Sequence, residues 1–206
     1  MKKILLALLF ALPLVANAGS KDDSKYLRGA VPEKDGIVTF TQTFSVPGKT
    51  QAEIYPVMQA YIHKLVDDAR QDLRTRIVSE ENNTVAAKVE EIMTFKKKFL
   101  SWDHCYFRYF ILVECMSEAK VKMTIKQITY QYMFDNEGKG GENFKAEEWI
   151  SDKAAINKDG TKLYPRSGKF RRKTIDRVDE IFTGAREAFE EPKEPVAPAP
   201  KATVIE

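Results

Sequence analysis

Reactive and metal-binding side chains are scarce in this chain. Two of its 206 residues are histidine and two are cysteine. No H-E-x-x-H or G-x-S-x-G run occurs. His63 falls in a helical stretch and His104 at the start of a strand. His104 and Cys105 are neighbours in an extended segment, so they point to opposite faces and cannot readily share a metal. Pro47-Gly48-Lys49-Thr50 ends like a phosphate-binding loop, but Thr43 stands where its first glycine belongs. The pairs Glu80-Glu81, Glu90-Glu91 and Glu147-Glu148 are adjacent in sequence and diverge, whereas an acid–base pair must converge. Asp135-Asn136-Glu137-Gly138 is turn chemistry without the ligand spacing of a calcium loop. No catalytic residue, metal site or cofactor is therefore expected.

A large excess of charge of one sign is also missing. Lys and Arg total 33 against 30 Asp and Glu, and the formal charge of +3 falls by two when Lys2 and Lys3 are set aside. That balance excludes a general polyanion binder, and no nucleic-acid partner is expected. Long apolar runs are absent too. Ile4–Val15 spans about 12 residues, short of the ~20 a membrane helix needs. With Lys2 and Lys3 before it and the small-x-small Ala16-Asn17-Ala18 after it, the run reads as a signal peptide over 1–18, cleaved after Ala18. The expected destination is the periplasm, with no transmembrane helix in the mature protein. No cysteine lies near the cleavage point, so a lipoprotein is not expected.

Residues 19–31 are polar and unpatterned and read as a flexible lead-in. Residues 191–206 alternate proline with small and charged residues and read as a disordered tail. Between them, 32–190 is expected to form one α+β domain. Ile37–Val46 alternates strictly, as a half-buried strand does. Thr50-Gln51-Ala52-Glu53 has capping-box spacing and opens a helix to about Arg70, with Ile54, Met58, Ile62 and Leu65 on its apolar stripe. Four strands follow: Arg76–Glu80, Thr84–Phe95, His104–Cys115 and Ala119–Tyr132. Asn82-Asn83 suits a tight turn. In the last strand the inward parity changes near Gln127, which predicts a bulge. A long connection over 135–168 holds a short helix near Ala146–Ala155, and a final helix runs from about Phe170 to Phe189. The expectation is β-α-β4-α: a single antiparallel sheet with two main helices on one face.

Two cysteines in an exported protein would suggest a disulfide. Cys105 and Cys115 instead share one strand and one face, ~33 Å apart at about 3.3 Å per residue, against the ~7 Å a disulfide allows. They read as small buried hydrophobes.

Two features stand out. The face of the sheet turned away from the helices carries Tyr106, Phe110 and Leu112 around Arg108 among otherwise polar residues. Either the 135–168 connection folds back over them with Trp149 or Tyr164, or they form a ligand or partner surface. Residues 158–177 hold eight Lys or Arg, among them Lys169, Arg171, Arg172 and Lys173, against Asp159 and Asp176. Cations at a helix start oppose the macrodipole. They serve either an external anion or partners across the fold.

The segments VPEKDGIVTFTQTFSVPGKTQAEIY (31–55), EEWISDKAAINKDGTKLY (147–164) and SGKFRRKTIDRVDEIF (167–182) resemble an uncharacterised bacterial family, domain of unknown function 4468, with a TBP-like fold. The resemblance covers most of 31–190. It implies the β-α-β4-α fold and an exported protein of Gram-negative bacteria, and it brings no activity, ligand or catalytic residue. The leading expectation is a non-enzymatic periplasmic binding or protein-interaction module. Tyr106, Arg108, Phe110 and Leu112 would hold the apolar part of an anionic or amphipathic ligand or an envelope protein; Lys169, Arg171, Arg172 and Lys173 would engage its acidic part. The alternative is an envelope scaffold that pairs as a homodimer through the open sheet face, and an enzyme of unknown class ranks third.

Overall fold

A computed structural model of the protein describes residues 22–69, 74–132 and 140–190. The expected signal peptide and the proline-rich tail lie outside these residues. A 3-10 turn at Ser24–Tyr26 precedes β1 (Glu33–Lys34) and β2 (Ile37–Ser45). Helix α1 (Gln51–Ala69) leads to β3 (Arg76–Glu81), β4 (Thr84–Lys98), β5 (Ser101–Met116) and β6 (Lys120–Tyr132). Strand β7 (Glu142–Lys145), the short helices α2 (Ala146–Trp149) and α3 (Asp152–Ala155), and α4 (Pro165–Glu187) complete the order. All pairings are antiparallel, in the order β1-β2-β6-β5-β4-β3, with β7 beside β6.

The expected α+β architecture is the observed one, with additions. Asp35-Gly36, both at positive φ, turn β1 back on β2; this short hairpin was not foreseen, although Asp-Gly is a strong hairpin signal. The connection contains β7 and two short helices where one was expected. The capping box forms as read: the Thr50 backbone N–H donates to Glu53 Oε2 at 2.8 Å and the Glu53 N–H to Thr50 Oγ1 at 3.3 Å. Helix α1 then runs unbroken through Pro56. Gln127 sits at φ 56° and the β5–β6 register shifts between Arg108 and Phe110. Before Gln127 strand β6 pairs with β2, and after it with β7. Inward residues accordingly change from Val121, Met123 and Ile125 to Ile128 and Tyr130, all buried.

The core lies between the sheet and the helices. Helix α1 contributes Ile54, Met58, Ile62 and Leu65, and α4 contributes Phe170, Val178, Ile181 and Ala185, against Phe107, Ile111, Val113 and Tyr130 of the sheet. Cys105 and Cys115 are both free and buried in this core. The lead-in departs from expectation. Residues 22–31 are not a loose segment: Val31 is buried, the Tyr26 hydroxyl donates to Asp176 at 2.9 Å, and Lys25 pairs with Asp176 and Asp179 at 2.8 and 2.9 Å. Among the described residues no helix is long and apolar enough to cross a membrane.

Candidate functional site

Side chains alternate across a strand, so parity decides which face each candidate occupies. On β5 the odd positions Cys105 to Cys115 are buried under the helices, and Tyr106, Arg108, Phe110 and Leu112 lie half-buried on the opposite face. The connection does not cover them in the way considered. Trp149 stacks on Phe144 with ring centroids 4.0 Å apart and packs edge-on against Phe170, on the helix side. Tyr164 is exposed at the start of α4.

The register shows what surrounds this patch. Arg76 of β3 lies opposite Lys88 of β4, Lys88 opposite Phe110 of β5, and Phe110 opposite Lys126 of β6. One row across four strands is thus Arg-Lys-Phe-Lys. Like charges directly opposite each other repel, and none of the three cations has a carboxylate partner among the described residues. Lys126 Nζ lies 5.7 Å from the Phe110 ring centre. In the neighbouring row, Glu90 faces Arg108. Glu90 is only 3% exposed; its Oε2 accepts from Arg108 Nε and lies 3.5 Å from Arg74 Nη1. Arg108 Nη2 donates to Gln131 Oε1 at 2.8 Å. Glu90 Oε1 is buried with no hydrogen-bond partner among the described residues. The Glu90 backbone is pinned by Thr75, whose hydroxyl accepts the Glu90 N–H at 2.8 Å and donates to the Glu90 carbonyl at 3.0 Å. These side chains line a pocket of about 260 Å³ bounded by Arg74, Arg76, Lys88, Arg108, Phe110 and Gln127. One buried carboxylate is ringed by four cations, with Lys126 a fifth just beyond. The arrangement can bind an anion whose apolar part lies over Phe110 and Leu112.

The rest of the composite site does not assemble with it. Helix α4 covers the other face of the sheet, so Lys169, Arg171, Arg172 and Lys173 are separated from the patch by the sheet itself. Three of the four are occupied internally. Arg171 is fully buried; it donates to the carbonyls of Tyr26, Leu27 and Ile150 at 2.6–2.7 Å and to Asp152 at 2.6 Å. Arg172 holds Asp23 in a bidentate pair at 2.6 and 2.5 Å, and that carboxylate raises the guanidinium above its ordinary value. Lys169 lies 2.7 Å from both Asp103 and the Tyr132 hydroxyl and 4.5 Å from the Phe95 ring centre. Burial works against its charge; Asp103 and Tyr132 overcome this and hold its pKa above the usual lysine range. Arg171 and Arg172 are therefore fold contacts and not an anion site, because an external ligand cannot reach the first and must displace a carboxylate from the second. Lys173 alone of the four is exposed and without an ion pair among the described residues. It lines a cleft of about 720 Å³ between α4 and the β4 edge, whose other charges pair among themselves: Lys25 with Asp176 and Asp179, Arg177 with Glu91 and Glu180.

Strand parity puts Lys88, Glu90 and Lys126 among the polar residues of the solvated face but does not show that they ring the patch, and Arg74 and Arg76 carry no sequence signal for it. The carboxylates Glu90, Glu114 and Asp103 do not converge. Glu114 is six positions along β5 from the residue facing Glu90, ~20 Å away, and is paired with Lys122 at 2.8 Å. Asp103 is on the α4 side with Lys169. No group of three or more His, Cys, Asp or Glu among the described residues could hold a metal ion.

The family described as "domain of unknown function (DUF4468) with TBP-like fold" matches residues 40–131. The match includes β4, β5, all but the last residue of β6, and Arg76, and ends before the segment over 147–182. The chain is similar to the crystal structure of a DUF4468 family protein from Bacteroides ovatus, with TM-score 0.77, 36% identity, and coverage of 85% of this chain and 99% of that one. A TBP-like protein from Parabacteroides distasonis superposes with TM-score 0.62 at 18% identity, covering 79% of this chain and 99% of that one; at that identity the likeness shows the fold alone. No curated protein matches.

Proposed function

Because the chain belongs to the DUF4468 family, whose name carries a fold and no activity, we propose from its own geometry that it is a non-enzymatic binding module. Its open sheet face takes an amphipathic anion. The observation that carries this is the row Arg76–Lys88–Phe110–Lys126, three cations and an aromatic ring with no carboxylate among them. Such a row is self-repelling when empty and relieved when an anionic group lies across it. Phe110, Leu112 and Tyr106 supply the apolar bed. A second copy docked on the same face would bring cations against cations, which disfavours the homodimer alternative. The separation of Glu90, Glu114 and Asp103 supports a binding role over acid–base chemistry. A TBP-like fold does not imply DNA binding, since function resides in the site and not in the fold. The leader pattern over 1–18 supports a module working in the periplasm.

Native mass spectrometry of the protein purified undenatured from its own cell envelope tests this. The expected result is a polypeptide mass beginning at Gly19 with a reproducible excess from a carried ligand. The excess should be lost in the Lys88→Ala/Lys126→Ala variant, whose two side chains hold no ion pair among the described residues. A bare mass for the unmutated protein, or an excess unchanged in the variant, overturns the assignment to this face.

A further inference from the structure

The β4–β5 hairpin extends beyond the rest of the sheet. Strand β3 pairs with β4 only as far as Lys88, and β6 pairs with β5 only from Cys105 onward. The rungs Lys96–Asp103, Lys97–Trp102 and Lys98–Ser101 therefore have no third strand among the described residues. They form a two-stranded ribbon that ends in Phe99 and Leu100, which are 98% and 89% exposed.

Turn chemistry does not explain those two residues. A two-residue hairpin loop favours Asn, Asp or Gly at positive φ. This chain uses them at Asp35-Gly36 and Asn82-Asn83, yet at the tip of its longest hairpin it places a phenylalanine and a leucine, neither at positive φ. Behind the tip stand Lys96, Lys97 and Lys98, with no acidic residue between 96 and 102. Trp102 is 45% exposed. Its ring stacks on His104 at 3.8 Å, its indole N–H donates to Thr94 Oγ1 at 3.1 Å, and Lys97 Nζ lies 5.2 Å from its centre. The tryptophan is thus held in place, on the second rung below the tip.

We propose that this hairpin tip is a membrane-docking finger for a bilayer surface bearing anionic phospholipid. The tip and the rungs behind it match the two layers of an interface. Phe99 and Leu100 lead into the acyl boundary, and Trp102 with the three lysines on the rungs behind them lies at the headgroup level, where indoles concentrate and lysines meet the lipid phosphates. A convex tip suits a fluid surface, whereas a protein partner would have to supply a groove. One apolar contact or one basic cluster anchors weakly; the two together make a stable, reversible attachment. The finger uses none of the residues of the open face and does not rest on the binding role assigned to it.

The test is flotation of the envelope-purified protein with unilamellar vesicles of phosphatidylcholine containing about one-third phosphatidylglycerol. The protein should float with these vesicles and not with pure phosphatidylcholine, and raising the salt should release it. Phe99→Ser/Leu100→Ser should lower partitioning about tenfold or more, and Lys96→Gln/Lys97→Gln/Lys98→Gln about tenfold with loss of the salt dependence. Both variants should melt close to the unmutated protein, because Phe99 and Leu100 are almost fully exposed and Lys97 meets only the exposed face of Trp102. Lys88→Ala/Lys126→Ala should float normally, which separates this site from the open face. No flotation of the unmutated protein, or flotation that survives both tip variants, overturns the proposal; capture of a protein partner by the tip in the absence of lipid binding would assign it to a protein interface instead.

Discussion

Cys105 and Cys115 show how a single parity settles a residue's chemistry. Both occupy the core face of β5, ten positions apart and far beyond disulfide reach. Burial pushes both thiols up, Cys115 to about 11 and Cys105 further. An unfolded cysteine ionises at about 8.5. Above that pH the unfolded chain loses protons that the folded protein keeps, so the contribution is complete below about pH 8.5 and is lost as pH rises towards 11. Urea unfolding should therefore show stability falling over this window. Cys115→Ala should remove about 1–2 kcal/mol of the fall between pH 7.5 and pH 10. A maleimide at pH 8 should leave the native thiols unlabelled and modify both after denaturation. Rapid native labelling would contradict their burial.

At the scale of elements, the start of α4 depends on one missing side chain. The apolar stripe predicts a helix from Phe170, but the helix begins at Pro165, a residue suited to the first helical position. The extra turn brings Gly168 against Leu163, which the bridge to Ile156 holds in place. A Cβ on Gly168 would lie 2.8 Å from Leu163 Cβ, an atom that cannot rotate away. Gly168→Ala raises helix propensity by about 1 kcal/mol yet should destabilise the protein by about 1–3 kcal/mol through overpacking, read as a lower urea midpoint. Bulges mark the limit of what strand patterns reveal. The one at Gln127 is visible because apolar residues change parity around it. The one between Ile77 and Ser79 is not, because Ile77 and Val78 are both apolar and either could face inward. That bulge places Arg76 opposite Lys88; without it Arg76 would face Val89 and the cationic row would not exist.

At the scale of the whole molecule, the basic stretch of α4 fastens residues 23–27 to the domain. Arg171 is fully buried and fastens Tyr26, Leu27, Ile150 and Asp152. Removing it strands three carbonyls and a carboxylate, so Arg171→Ala should cost about 3–5 kcal/mol. Lysine should restore little, because a point charge cannot replace a planar fork with three backbone acceptors. Chemical denaturation measures the loss. Limited proteolysis should show residues 22–31 becoming cleavable first; a variant with an unchanged midpoint and a protected N-terminal segment would refute the role. The helix-start cations thus answer to carbonyls and carboxylates up to 149 positions away in sequence, and no local pattern records such partners.

The amino-acid sequence by itself determined the main elements, their order, the face each strand buries, and the aromatic patch around Arg108, because 2.0 and 3.6 periodicities are local properties of the backbone. The tertiary structure alone decided which cations meet and which are neutralised. Strand register and a bulge placed Arg76, Lys88 and Lys126 around Phe110. Chain crossing placed Tyr26, Asp23 and Asp103 beside Arg171, Arg172 and Lys169. Electrostatic partners are chosen by distance through space, and distance through space is set only when the sheet and helices have closed on one another.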